Sequence, residues 1–246
     1  MKMNGLEEVS FSIVMPAYNE EANIEKTVRA CSEALASINC SGEIIVTNDG
    51  SRDRTFEVLQ NMCTEFPNLK IVHHPVNRGY GAALKSAINA SSGDYIVTID
   101  SDGQFDIKEL PYFLSPSANG TAVVTGYRKK KSDTVFRVFA NKGLNGMIKV
   151  LFGAKFKDIN CAFRLYRSDV LKAIDIESTG YQAPSEIMIK IMNLGHNFSE
   201  VGVSHYSRAA GQSALKPVKT IMQMSAFLVY LKLKTILFKK GLLNSL

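Results

Sequence analysis

The chain has 246 residues, 46% of them hydrophobic and 21% charged, with a net charge of +6. That length supports one sizeable core or two small domains, and the composition is that of a folded globular protein, not a disordered or low-complexity one. Cys31, Cys40, Cys63 and Cys161 form no C-x-x-C pair. Glu7 and Glu8 interrupt the N-terminal stretch where a secretory leader needs an apolar run, so reduced thiols in the cytoplasm are expected.

The charge is unevenly placed. No Asp or Glu follows Glu200, whereas Arg208 and six lysines from Lys216 to Lys240 do. A near-neutral body with a basic tail points to an anionic partner. Nucleic acid is not expected, because no aromatic–basic platform or DNA-reading motif accompanies the lysines.

Phe11-Ser-Ile-Val-Met15 reads as a first strand that Pro16 stops. Asn19 is placed to cap a helix in which Ile24, Val28, Cys31 and Leu35 recur at helical spacing. Glu43-Ile-Ile-Val-Thr47 is a second strand, followed by the polar turn Asn48-Asp-Gly-Ser-Arg-Asp53, where Asp53 suits the cap of the next helix. Leu69-Lys-Ile-Val-His73 is a third strand, Asn77-Arg-Gly-Tyr-Gly81 a third turn, and Ala82 to Ala90 a small-residue helix.

The fourth strand, Tyr95-Ile-Val-Thr-Ile99, breaks into Asp100-Ser-Asp-Gly-Gln104. Repeated strand–turn–helix units imply a parallel sheet, which places all four polar turns on one edge, where α/β sheets bind ligands. Asp100 and Asp102 repel each other unless a cation lies between them. A hard divalent ion, Mg²⁺ or Mn²⁺, takes one or two carboxylates and completes its shell with water and phosphate oxygens; Gln104 can add an amide oxygen. No P-loop and no G-x-G-x-x-G follows any strand, so such an ion is the expected phosphate anchor.

Downstream, Thr121 to Thr125 reads as a strand, Val135 to Phe152 as a helix within a strongly basic segment, and Asp158 to Arg167 as a short strand segment. Ser185 to Leu194 is a helix with Gly195 at its C-cap, Phe198 to Val203 a last strand, and Arg208 to Ser213 a loop. Pro217 opens a helix to about Lys240. Its longest charge-free run, Thr220 to Leu231, is shorter than the ~20 residues a bilayer requires, so the helix is read as amphipathic and interfacial.

Ser12-Ile-Val-Met-Pro-Ala-Tyr-Asn-Glu20, Asn48-Asp-Gly-Ser-Arg-Asp-Arg-Thr55, Asn77-Arg-Gly-Tyr-Gly-Ala-Ala83 and Asp100-Ser-Asp-Gly-Gln104 resemble, in order, the motifs of family 2 glycosyltransferases. Phe163-Arg-Leu-Tyr-Arg167 and Arg208-Ala-Ala-Gly-Gln-Ser213 are similar to later segments of the polyprenyl-phosphate sugar transferases within that family, such as dolichol-phosphate mannose synthase. The resemblance implies an α/β GT-A fold, a mixed, mainly parallel central sheet flanked by helices. It divides the chain into a catalytic domain over 1–214, with a nucleotide-sugar half to about 105 and an acceptor half over 106–214, and a basic amphipathic helix over 215–246.

Carried over by residue, the resemblance places Pro16, Tyr18 and Glu20 beside the nucleotide, Asp49 on its base, and Arg78 with Gly79 nearby. Asp100, Asp102 and Gln104 then hold the metal and diphosphate. The family has two consecutive Asp where this chain has Asn48 then Asp49, which leaves uracil and guanine both open. The implied reaction is inverting transfer from a UDP- or GDP-sugar. A polyprenyl phosphate acceptor is already ionised and needs cations, for which Arg128, Arg137, Arg164 and Arg208 are candidates. A hydroxyl acceptor on a lipid-linked or surface glycan needs a base, and Glu186 is the candidate. The tail favours the first acceptor and a peripheral position on the cytoplasmic face of an anionic membrane.

Overall fold

The computed structural model describes residues 9–129, 135–208, 217–243 and 246; of these, the side chains of residue 118 and of residues 135–142 and 217–219 lie outside the description. A seven-stranded sheet runs through the middle: β1 (Phe11–Ala17), β2 (Gly42–Asp49), β3 (Leu69–His74), β4 (Tyr95–Thr98), β5 (Val123–Arg128), β6 (Arg164–Arg167) and β7 (Phe198–Val203). The order is β3-β2-β1-β4-β6-β5-β7. All neighbours are parallel except β6, which runs antiparallel to both β4 and β5.

The helices are α1 (Ile24–Ser37), α2 (Thr55–Met62), α3 (Tyr80–Ala90), α4 (Pro111–Ala118), α5 (Val135–Phe152), α6 (Ser168–Lys172), α7 (Ala183–Asn193) and α8 (Pro217–Lys239). Alternation along β1 assigns the layers. Ile13 and Met15 join one apolar cluster with Ile24, Val28, Cys31 and Leu35 of α1. Val14 joins another, on the opposite face, with Leu84 of α3, Ile187 of α7 and Leu228 of α8. Two faces at period 2 meeting helices at period 3.6 give a three-layer α/β/α arrangement. Each such buried aliphatic side chain contributes about 1.5–3 kcal/mol of transfer free energy.

Two local expectations are corrected. Pro16 does not stop β1, which pairs with β2 through Ala17. Val14 and Pro16 direct their polar groups toward β4: Ile99 N–H bonds Val14 C=O, and Ser101 Oγ bonds Pro16 C=O. The β4 ladder has already ended at Val14–Thr98, so the N–H that proline lacks has no strand partner to lose. Asn19 is not a helix cap. It has φ 57°, and α1 begins five residues later at Ile24. Asn19 Oδ1 instead accepts the Arg52 N–H at 2.8 Å.

Helix α8 packs one face on the body. Met224, Leu228, Leu231 and Thr235 are buried, while Met222, Val229, Leu233 and Leu237 are exposed. Glu177 receives Tyr230 Oη at 2.8 Å and Lys234 Nζ at 2.6 Å. By length and composition Thr220–Lys239 is long and apolar enough to cross a membrane, contrary to the reading of its charge-free run alone.

Candidate active site

The four polar turns meet at the carboxyl edge of the parallel strands and are hydrogen-bonded into a closed ring. The first and second turns join through Asn19 N–H to Ser51 Oγ (3.0 Å), Glu20 N–H to Thr55 Oγ1 (2.8 Å) and Glu21 N–H to Asp53 Oδ2 (3.1 Å). The second joins the third through Asp49, whose carboxylate accepts both Arg78 and Gly79 N–H groups at 2.9 Å. The third joins the fourth through Tyr80 Oη, which donates to Asp100 Oδ1 at 2.9 Å. Ser101 Oγ closes the circle on Pro16 C=O at 2.8 Å. Gly79 has φ 98°, and a Cβ there would lie 2.4 Å from Thr179 O, so only glycine lets this turn pack against the 178–181 segment.

Asp49 is 2% exposed and also takes His74 Nδ1 at 2.7 Å, while His74 Nε2 meets Ser86 Oγ at 2.9 Å. Asn48 is fully buried, with its amide on His73 Nδ1 at 2.9 Å. Asp53 lies one residue ahead of Arg54, which holds the N-cap position of α2 without a side-chain cap bond, and accepts the Thr55 N–H at 3.0 Å. Tyr18 is half-buried at the rim.

Burial, and then the charge of Asp102, raise the Asp100 carboxyl to about 7, although the Tyr80 hydroxyl and nearby arginines pull it down. Glu20 is also raised, chiefly by burial, against the opposing pull of Asn23 and Arg208. Asp102 Oδ1 accepts Gln104 N–H at 3.0 Å, and Asp102 Oδ2 receives Arg208 Nη2 at 2.8 Å. Gln104 directs its Nε2 to Tyr206 C=O at 2.8 Å. The hard oxygen donors suit Mg²⁺ or Mn²⁺. Among the described residues no group of three or more His, Cys, Asp or Glu could hold a metal. An ion held between these two acids would therefore have to draw the rest of its shell from substrate oxygens and water.

The expected phosphate arginines separate. Arg164 is 1% exposed and is a structural strut: it donates to Thr125 Oγ1 (3.1 Å), Tyr166 Oη (3.2 Å), Pro184 C=O (2.7 Å) and Ile159 C=O. Closed off in this way, it offers no fork to a phosphate. Arg128 is held by Asp158 in a bidentate pair (2.6 and 3.1 Å). Arg208 lies against the acids. The Arg137 side chain, and residues 209–213 of the last motif, fall outside the description.

Glu186 is the other correction. It is fully buried and its two oxygens accept four donors: Glu177 N–H (2.8 Å), Ser178 N–H (2.9 Å), Ser178 Oγ (2.5 Å) and Lys190 Nζ (3.0 Å). A carboxylate has about four lone-pair sites, so none is left for a substrate proton. What sequence reasoning missed is the linking set of Tyr80, Ser101 and His74. Tyr80 stood inside a quoted motif, but nothing in the sequence aimed its hydroxyl at Asp100. A cavity of about 250 Å³ opens between α5 and α8, lined by residues including Leu144, Met147, Asn160, Ile221 and Met224.

Residues 12–175 match the family model described as glycosyl transferase family 2. The chain belongs to glycosyl transferase family 2. Among curated members, it is 30% identical over 225 residues to an undecaprenyl-phosphate 4-deoxy-4-formamido-L-arabinose transferase of Edwardsiella ictaluri, covering 90% of this chain and 68% of that one. The transferase of the same name from Pseudomonas paraeruginosa is 30% identical over 215 residues, covering 87% and 62%. The chain thus spans roughly two thirds of the length of these relatives. The fold matches mannosyl-3-phosphoglycerate synthase of Rubrobacter xylanophilus (TM-score 0.71, 19% identity, 97% of this chain and 77% of that one). It also matches glucosyl-3-phosphoglycerate synthase of Mycobacterium tuberculosis, solved with Mn²⁺, uridine diphosphate and phosphoglyceric acid (TM-score 0.69, 21% identity, 96% and 80%). These are GT-A glycosyltransferase folds.

Proposed function

We propose that this family 2 glycosyltransferase moves a sugar from a UDP- or GDP-sugar to a polyprenyl phosphate, with inversion at the sugar carbon, at the cytoplasmic membrane face. The observation that carries the choice of acceptor is the saturation of Glu186 by four donors. A hydroxyl acceptor requires a base, and the residue expected to be that base is committed to the fold. An ionised phosphate requires none.

Three further features support the reading. The curated relatives are named for undecaprenyl phosphate. The exposed row Val229, Leu233 and Leu237 on α8, with Lys232, Lys239 and Lys240 near it, suits an anionic bilayer surface. The apolar cavity between α5 and α8 suits an isoprenoid segment.

In this reading Pro16, Tyr18, Glu20, Arg78 and Gly79 frame the nucleotide. Asp49, expected on the base, is buried with its oxygens on His74, Arg78 N–H and Gly79 N–H, and acts instead by fixing the Arg78–Gly79 backbone. Asp100 and Asp102 would hold Mg²⁺ or Mn²⁺, with Gln104 beside them. When bound, that ion supplies the positive charge that the departing nucleoside diphosphate needs. Tyr80 holds the Asp100 carboxylate toward the ring, and the cationic side chains Arg128 and Arg208 add to the field at the site.

The test is transfer of labelled sugar from UDP- and GDP-sugars into undecaprenyl phosphate in vesicles. The expected product is a lipid-phosphate-linked sugar. Product formed only on a sugar hydroxyl would overturn the assignment.

A further inference from the structure

The strap that follows β7 is sewn onto the acid loop. Ser204 N–H and Oγ both bond Glu109 at 2.8 Å, Phe105 and His205 form a β-bridge, and Tyr206 N–H donates to Gln104 C=O at 2.8 Å. This backbone carries Arg208 to the acids. Its guanidinium spans two of them, with Nη2 2.8 Å from Asp102 Oδ2 and Nη1 3.3 Å from Glu20 Oε1. The other Asp102 oxygen holds Gln104 N–H. Both oxygens of Asp102 are therefore engaged by the protein's own donors, one neutral and fixed in the loop, the other cationic and on a long side chain.

We propose that Arg208 is the resident counter-ion of the acid loop and makes divalent-cation loading conditional on the donor's diphosphate. This rests on the reading that Asp100 and Asp102 hold the ion. A divalent cation arriving alone must evict a charge-assisted hydrogen bond from Asp102 and leave Glu20 with less compensation. A diphosphate arriving with it offers the guanidinium a second anion with the same fork geometry, so Arg208 exchanges partners and Asp102 Oδ2 turns to the ion. Metal and nucleotide then bind with positive coupling, each tightening the other by the same factor.

The test is Mn²⁺ titration of the full chain, followed by the EPR signal of free Mn²⁺, alone and with UDP or GDP. Wild-type protein should bind Mn²⁺ weakly alone and on the order of tenfold more tightly with the diphosphate it accepts. Arg208→Gln should tighten binding of Mn²⁺ alone by a factor on the order of ten and shrink the coupling to match. Arg208→Lys, which keeps the charge, should stay nearer wild type. The strap's bonds to Glu109 and Gln104 do not involve the guanidinium, so all three proteins should fold; Arg208→Gln should melt lower, because Asp102 and Glu20 lose their counter-ion, and Arg208→Lys nearer wild type. Unchanged or weaker binding of Mn²⁺ alone in Arg208→Gln, with nucleotide-dependent binding still present, overturns the role of Arg208 and leaves the metal reading standing. No Mn²⁺ binding under any condition, or binding indifferent to Asp102→Asn, overturns both.

Discussion

The Tyr80 hydroxyl donates to Asp100 across 2.9 Å, and with that bond the first turn of α3 fixes an acid at the end of β4. The stacked ring of Tyr181, 5.4 Å away, supports Tyr80 from behind. Tyr80→Phe keeps the stack and removes the bond. Transfer rate should fall by roughly tenfold or more, as for loss of one positioned donor, with little change in melting temperature. Steady-state kinetics beside a thermal melt separates the two; a rate within twofold of wild type would remove Tyr80 from the site.

Glu43 supplies one pH-dependent contribution to stability. It lies opposite Ser12 in the β1–β2 register and accepts from Ser12 Oγ (2.6 Å), Ser92 N–H (2.6 Å) and Ser92 Oγ (2.8 Å), with Lys70 at 2.5 Å. Burial pushes the carboxyl up, but the Lys70 ion pair and the serine donors outweigh it and hold it at about 2. The folded value lies below the ordinary one, so this stability is present above about 4.5 and lost as pH falls toward 2. Glu43→Gln should cost about 2 kcal/mol at pH 7, allowing for solvent screening at the exposed Lys70 end, and almost nothing at pH 2. Urea midpoints at the two pH values check this.

Glu186→Gln separates a structural carboxylate from a base. It weakens the hold on buried Lys190, which keeps the Asp175 carbonyl and Glu177. Stability should drop by about 1–3 kcal/mol. The rate per folded molecule should stay within roughly threefold, because no proton passes through this group. A loss of three orders of magnitude in a protein that melts normally would restore Glu186 as a base.

The exposed row on α8 makes a separate prediction. Leu233→Asp combined with Leu237→Asp should reduce co-sedimentation with anionic vesicles by about tenfold or more. Nucleotide binding should be unaffected, since both side chains face away from the body.

The parallel half was legible because its signals are local. β-rich runs at Phe11, Glu43, Leu69 and Tyr95 end in polar turns, and topology alone puts those turns on one edge. Other features depend on distant chain. Helix α4 was hidden by Pro111 and Pro116; Pro111 sits in its first turn, where no N–H is needed. Helix α6 is only five residues long, too short for periodicity to register. Arg164 and Glu186 carry charge in the sequence, and charge reads as exposed and functional. Only the packing reveals Arg164 shut in by Pro184 and Ile159, and Glu186 wrapped around Ser178. Arg208 reaches Asp102 from 106 residues away, beyond any spacing rule.

Calorimetric titration with UDP and with GDP, each with Mn²⁺ or with a chelator, on wild type and on Asp100→Asn and Asp102→Asn, tests the ring of turns as a metal-dependent nucleotide site most directly. One nucleotide should bind with Mn²⁺, weaken by at least about tenfold with chelator, and weaken comparably in either variant. Affinity indifferent to the chelator and to both acids would contradict the account.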